Sequence, residues 1–241
     1  MTGAQFIARV YQILGLPSTH PEVVNGVIAD NYLARVDELT LLVKPPTMRA
    51  QVTRAIVANS ATIYLPADLL QVIKVKMADA NGDYYELAHH TPEDLDAVSA
   101  TWDSSDTGDV TSYTNAGIVT STSSNSYGQR IIRLSPTQTT SDSDGLLVRY
   151  WRRATDLISS SSSQYQIVEV PRAYQMGLAY GVAGLIAIDP RINRDPGTFL
   201  GPWNEMLTRY LQYGPEHREY DYNATAYSSI ATAQARHWNS Y

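Results

Sequence analysis

Few residues in this chain have the types and spacing that chemistry requires. His89-His90, with Glu86, Glu93 and Asp94 nearby, is the one cluster of histidine and carboxylate. A shared metal needs convergent ligands, whereas adjacent residues on a strand point to opposite faces, so these groups read as solvated turn residues. His217 and His237 lack a carboxylate pair at ligand spacing. There is no cysteine, hence no disulfide, thiolate zinc site or cysteine nucleophile. No stretch fits G-x-x-x-x-G-K-[ST], G-x-G-x-x-G or G-x-S-x-G, the first requirements of phosphate cradles, dinucleotide sites and nucleophile elbows. A hydrolase using Asp94 and His90 would need an inward-facing acid/base pair that the pattern does not supply. The expectation is a protein that is not an enzyme, with no catalytic residue, metal or cofactor.

The densest basic feature is Arg149-Tyr150-Trp151-Arg152-Arg153, with Arg130 and Arg133 on another predicted strand. Alternation puts Arg149, Trp151 and Arg153 on one side, a mixture that stacks on bases or pairs with carboxylates of a neighbouring subunit. The chain is acidic, with 18 Lys+Arg against 24 Asp+Glu and a net charge of -6. That is opposite to the footprint of a protein that grips phosphates, so the run reads as a candidate subunit interface or a solvated strand edge. Only Lys44, Lys74 and Lys76 are lysine, while 17 residues are tyrosine and 2 phenylalanine. Arg and Tyr are enriched and Lys depleted at protein interfaces. Codon bias would account for the arginine but not for the tyrosine.

The elements that position these residues follow from periodicity. Phe6, Val10, Ile13 and Leu14 mark one face of a helix ending at Gly15 before Pro17. Thr19-His20-Pro21-Glu22 has capping-box spacing and predicts a second helix from Pro21, stopped by Pro45-Pro46. Asn25, Asp30, Asn31, Arg35 and Glu38 leave it a single buried stripe. From about Met48 the period becomes alternating. Thr62–Leu65, Val72–Met77, Tyr84-Tyr85, Gly117–Thr120, Arg130–Leu134 and Leu146–Trp151 are the strand candidates, Asn81-Gly82 a type I′ turn, and Thr91-Pro92-Glu93-Asp94 the capped start of a short helix. Serine-rich stretches separate the strands, and Ser159–Ser163 reads as either a hinge or a loop.

Pro171 opens a mostly apolar helix running to Ile188, in which Ala173, Gly177, Gly181 and Gly184 recur at four, four and three. Their face is nearly bare backbone, which suits helix packing inside a bundle better than a subunit contact; the run is too short for a membrane span. Trp203–Tyr213 is a further helix, with Met206, Leu207, Tyr210 and Leu211 on one side. Beyond it, Glu219–Tyr241 has no apolar period, yet Tyr220, Tyr222, Tyr227, Trp238 and Tyr241 punctuate it, as expected of a segment that stays extended and docks side chain by side chain; a disordered end is the alternative.

These elements predict an α+β protein: a helical bundle built from N- and C-terminal helices (1–45 and 171–218), an inserted antiparallel β domain (46–170) and an extended C-terminal tail (219–241). With 44% hydrophobic and 17% charged residues the chain is too apolar for disorder. Its opening MTGAQFIARV lacks the basic flank and apolar core of a signal peptide, so export by that route is not expected.

The order of elements resembles the head-to-tail adaptor (connector) proteins of tailed bacteriophages, including the tail tubular protein A type. The features carrying the resemblance are the T-I-Y-L-P strand at Thr62–Pro66, the strand end Gly128–Pro136, the L-x-V-x-Y-W strand at Leu146–Trp151, and the Ala/Gly-rich helix Pro171–Ile188. The resemblance implies a structural virion protein of the tail or neck, assembled in the host cytoplasm as a dodecameric ring. Such a ring joins the portal protein to the tail nozzle and fibre proteins and continues the DNA channel, with DNA passing non-specifically through the lumen during ejection and no membrane involved. It further implies that a C-terminal segment docks on the portal, a role that 219–241 suits. The alternative reading is a virion surface β domain that holds glycans through its tyrosines and serine-rich loops.

Overall fold

The computed structural model of the chain describes residues 1–79, 81–99, 101–102, 106–120, 128–154 and 170–213. In chain order the elements are α1 (Gly3–Leu14), α2 (Asn25–Val43), β1 (Arg49–Ile56), β2 (Thr62–Tyr64), β3 (Leu69–Ala78), β4 (Tyr84–Glu86), β5 (Ala88–His89), α3 (Pro92–Val98), β6 (Ser112–Ile118), β7 (Arg130–Ser135), β8 (Asp142–Arg152), α4 (Gln175–Ala187) and α5 (Pro196–Tyr213). The fold is α+β. It divides into two units, Met1–Met48 with Arg153–Tyr241, and Arg49–Arg152.

In the helical unit, α1 begins with a capping box between Thr2 and Gln5 and ends at Gly15 in the left-handed region, φ 66°. Its buried face carries Phe6, Val10, Tyr11 and Leu14. The second helix starts at Asn25, four residues later than the capping pattern predicts. Val23 is fully buried and its carbonyl accepts the Tyr11 hydroxyl, so Thr19–Glu22 is spent on a turn in which the Glu22 amide donates to His20 Nδ1. Tertiary burial of one valine overrides the local cap. The end of α2 is as the sequence predicts, with Lys44 at φ 54° before the proline pair.

Arg35, which on the sequence only interrupts the apolar stripe of α2, belongs to the interior. Its Nε donates to the Gly181 carbonyl at 3.1 Å, its guanidinium lies 5.1 Å from the Trp203 ring centroid, and Nη1 pairs with Glu38. Helix α4 packs against α1, α2 and α5. It begins at Gln175, behind a one-turn 3-10 helix at Arg172–Tyr174, rather than at Pro171. Helix α5 begins at Pro196, seven residues before Trp203, because Asp195 caps it: its carboxylate accepts the Gly197 amide at 3.0 Å and the Thr198 hydroxyl at 3.3 Å. Pro202 lies inside this helix.

The glycine stripe of α4 faces α5. A Cβ on Gly177 would lie 2.4 Å from Met206, on Gly181 2.6 Å from the Trp203 ring, and on Gly184 2.8 Å from Leu200. Ala173 stands before the helix, in the 3-10 turn, and is exposed.

The β unit has two four-stranded sheets, ordered β1-β8-β3-β4 and β2-β7-β6-β5. Their inward residues, among them Ile56, Ile63, Val75, Ile132, Leu134, Leu146 and Val148, form one core. The pairing is not wholly antiparallel as expected: Ala88 and His89 pair with Ser112 and Tyr113 in parallel, because the chain leaves β5 through α3 and re-enters in the same direction. The strand β1 is not singled out by the pattern, since Arg54 occupies a position between the inward Val52 and Ile56.

Replacing Gly181 with alanine is expected to lower stability by about 1–3 kcal/mol, since the rigid indole cannot retreat and the overpacking exceeds the helix-propensity gain. Gly201→Ala, whose Cβ meets nothing within 4 Å, should instead be neutral or stabilising by up to about 1 kcal/mol. Urea unfolding midpoints of the two variants check both signs.

Candidate functional site

Strand β8 carries the basic run, and the pleat splits it. Leu146, Val148 and Tyr150 point into the core, while Leu147, Arg149 and Trp151 lie on the outer face. Register places Gln51 of β1 and Lys74 of β3 on either side of Arg149, and Arg49 beside Trp151. Arg149 is exposed and its Nε donates to Gln51 Oε1 at 2.9 Å. Lys74 pairs with Glu86 of β4 at 2.8 Å, and Lys76 follows on the same face. Four cations therefore share one sheet face: Arg49, Lys74, Lys76 and Arg149.

Trp151 is not displayed as a stacking platform. It is 5% exposed, with the Arg49 guanidinium 5.3 Å from its ring centroid. Arg153 lies past the end of the strand, where its Nε is 4.0 Å from Asp37 Oδ2. Burial raises the pKa of Asp37, and the Ala154 amide and Arg153 oppose that rise. The structure thus brings Arg149 and Trp151 to one face and places Arg153 in the other unit. The lysines on the outer face were legible as Lys74-Val75-Lys76, a polar-apolar alternation; Arg49 was missed with its strand.

Where β3 ends and β8 begins the charge is reversed. The chain turns between β3 and β4 with the Gly82 amide donating to the Asp79 carbonyl at 3.0 Å and Gly82 at φ 86°, so Gly82 closes the turn and is not the second central residue of the expected type I′ pair. Asp79 accepts the Asn81 amide at 2.8 Å and the Asp83 amide at 2.9 Å, and these bonds hold its carboxyl below the usual range. Asp142 accepts the Asp144 amide at 3.0 Å at the start of β8. Asp79, Asp109 and Asp142 line a groove of about 840 Å³.

His89 lies on β5, and His90 follows it ahead of α3. His89 is exposed, edge-on to Tyr113, with its Nε2 3.2 Å from Asn115 Nδ2. Asp94 caps α3, accepting the Thr91 amide, and that bond lowers its pKa. Among the described residues no group of three His, Cys, Asp or Glu is placed to hold a metal, and no helix is long and apolar enough to cross a membrane. The tyrosines of the β unit are largely engaged: Tyr84 donates to the Asp144 carbonyl, Tyr85 to the Val110 carbonyl and Tyr150 to Asp68. Tyr64 and Tyr85 nevertheless keep exposed rings, at 48% and 38%. Tyr220, Tyr222, Tyr227, Trp238 and Tyr241 lie outside the described residues, as do His217 and His237.

The described residues combine an α+β fold with distributed charges and tight helix contacts. The family model described as SU10 adaptor protein matches residues 1–232, and the chain belongs to that family. It is accordingly a structural adaptor of a bacteriophage and a component of the virion. Comparison with curated proteins gives no significant match.

Tyr150 supplies a pH test of the β unit. Burial and the bond its hydroxyl donates to Asp68 at 3.1 Å push its pKa up to about 12. The stabilisation is present below the unfolded value of about 10 and is lost as pH rises toward 12. Tyr150→Phe should cost about 0.5–1.5 kcal/mol at about pH 8, and the gap to the unsubstituted protein should shrink as pH is raised through that window. Urea titrations of both proteins across the window measure it.

Proposed function

We propose that this chain assembles as a dodecameric ring that joins the portal to the tail and continues the DNA channel. The observation that carries this reading is the family match, which spans 1–232 and so takes in both units and part of the aromatic segment. The physical features agree with it. A chain of net charge -6 presents DNA with little that would hold phosphates, so DNA would slide rather than bind. The helical unit is closely packed through Gly177, Gly181 and Gly184, a rigid body of the kind a ring wall requires. The portal, nozzle and fibre proteins are the proposed partners, and residues 219–241 the proposed portal-docking segment, through Tyr220, Tyr222, Tyr227, Trp238 and Tyr241.

Native mass spectrometry and cryo-electron microscopy of the chain with purified portal test the ring. A particle with a central hole is the expected result, and a monomer at high concentration beside portal overturns the reading. Deleting Glu219–Tyr241 should leave the chain folded, because the buried residues identified in both units precede it, yet remove portal binding. Trp238→Ala should be the most damaging single change there, at roughly 2 kcal/mol or more, because buried aromatics dominate such scans. Unaltered portal affinity of the truncated chain would refute the docking role.

A further inference from the structure

The β1-β8-β3-β4 sheet is electrically polar along its strands. One end bears Asp79 and Asp83 at the β3–β4 turn and Asp142 and Asp144 at the start of β8, with Asp109 on the groove beside them. Further along the same strands the outer face bears Arg49, Lys74, Lys76 and Arg149, with Glu86 as the carboxylate among them. Two of the three lysines in the whole chain stand on this one face. Folding alone does not call for the separation. Cross-strand pairing of opposite charges stabilises a sheet, and Lys74 makes such a pair with Glu86.

We infer that the cationic outer face of this sheet receives the acidic strand end of a second copy of this chain, in a head-to-tail contact repeated around the assembly. The inference rests on the ring reading above and names the surface that would close it. A second copy is the favoured occupant because each chain carries both complementary charges, and a heterologous contact between unlike surfaces generates a ring when its rotation closes. The face is prepared for carboxylates. Arg149 is held by Gln51 and Lys74 by Glu86, so both cations are oriented before a partner arrives. The acidic end is equally ordered, since Asp79 and Asp142 are fixed by the backbone amides they accept.

Complementary charge reversal tests the contact on the full-length chain with purified portal. Lys76→Glu with Arg149→Glu reverses the face and spares the Lys74–Glu86 pair. Asp83→Lys with Asp109→Lys and Asp144→Lys reverses the end and spares the carboxylates that cap turns. Each variant alone should self-associate at least about ten-fold more weakly in sedimentation velocity. An equimolar mixture should recover assembly, because every contact in an alternating ring is then again between opposite charges. Raising salt from about 0.05 to about 0.5 M should weaken the unsubstituted assembly.

Variants that assemble like the unsubstituted chain overturn the contact and leave the ring reading standing. Loss of assembly by variants that keep the circular-dichroism spectrum and urea midpoint of the unsubstituted chain, without recovery on mixing, also overturns it. Unchanged assembly together with weakened binding of a short DNA duplex by the face variant would reassign the face to nucleic acid. An unsubstituted chain that stays monomeric beside portal removes the ring reading and this contact together.

Discussion

The indole of Trp203 occupies the space that Gly181 leaves open on α4, and the helical unit is organised around that contact. An interior wide ring reaches a neighbouring helix only where the backbone is bare, so the helix-propensity cost of roughly 1 kcal/mol per glycine is offset by dispersion and burial across the contact. Arg35 completes the arrangement. Its guanidinium stacks over the same indole and donates to the carbonyl of the same glycine, tying α2 to α4 and α5 at one point. A charge in that position is tolerated because Glu38 pairs with it at the edge of the interior.

The β unit obeys a different constraint, the pleat. Alternation sends Leu146, Val148 and Tyr150 into the core and Arg149 outward, so a five-residue basic run that looks like one patch on paper becomes a core residue, a covered tryptophan and separated cations. Tyr150 takes a polar hydroxyl into that core and satisfies it on Asp68. The same pleat gathers cations contributed by β1, β3 and β8 onto one face, far apart though they are in the chain.

These arrangements suit an adaptor. Such a protein needs surfaces that present fixed chemistry to partners, and rigidity beneath them so that binding does not have to order the platform first. The carboxylates of Asp94, Asp79 and Asp195 cap helices and fasten turns.

Local signals in the sequence determined a good deal. Gly15 closes α1, Thr91 opens α3, and the spacing of Gly177, Gly181 and Gly184 is a fact of composition and period alone; the order of elements resembles that of the adaptor class. Each such feature rests on interactions within a few residues. Tertiary structure alone decided the rest. Burial of Val23 moved the start of α2, Asp195 drew α5 seven residues toward the N-terminus, Arg35 entered the interior, and the α3 crossover turned one strand pair parallel. A residue's partner across the fold is set by the global packing minimum, which no local window of sequence contains.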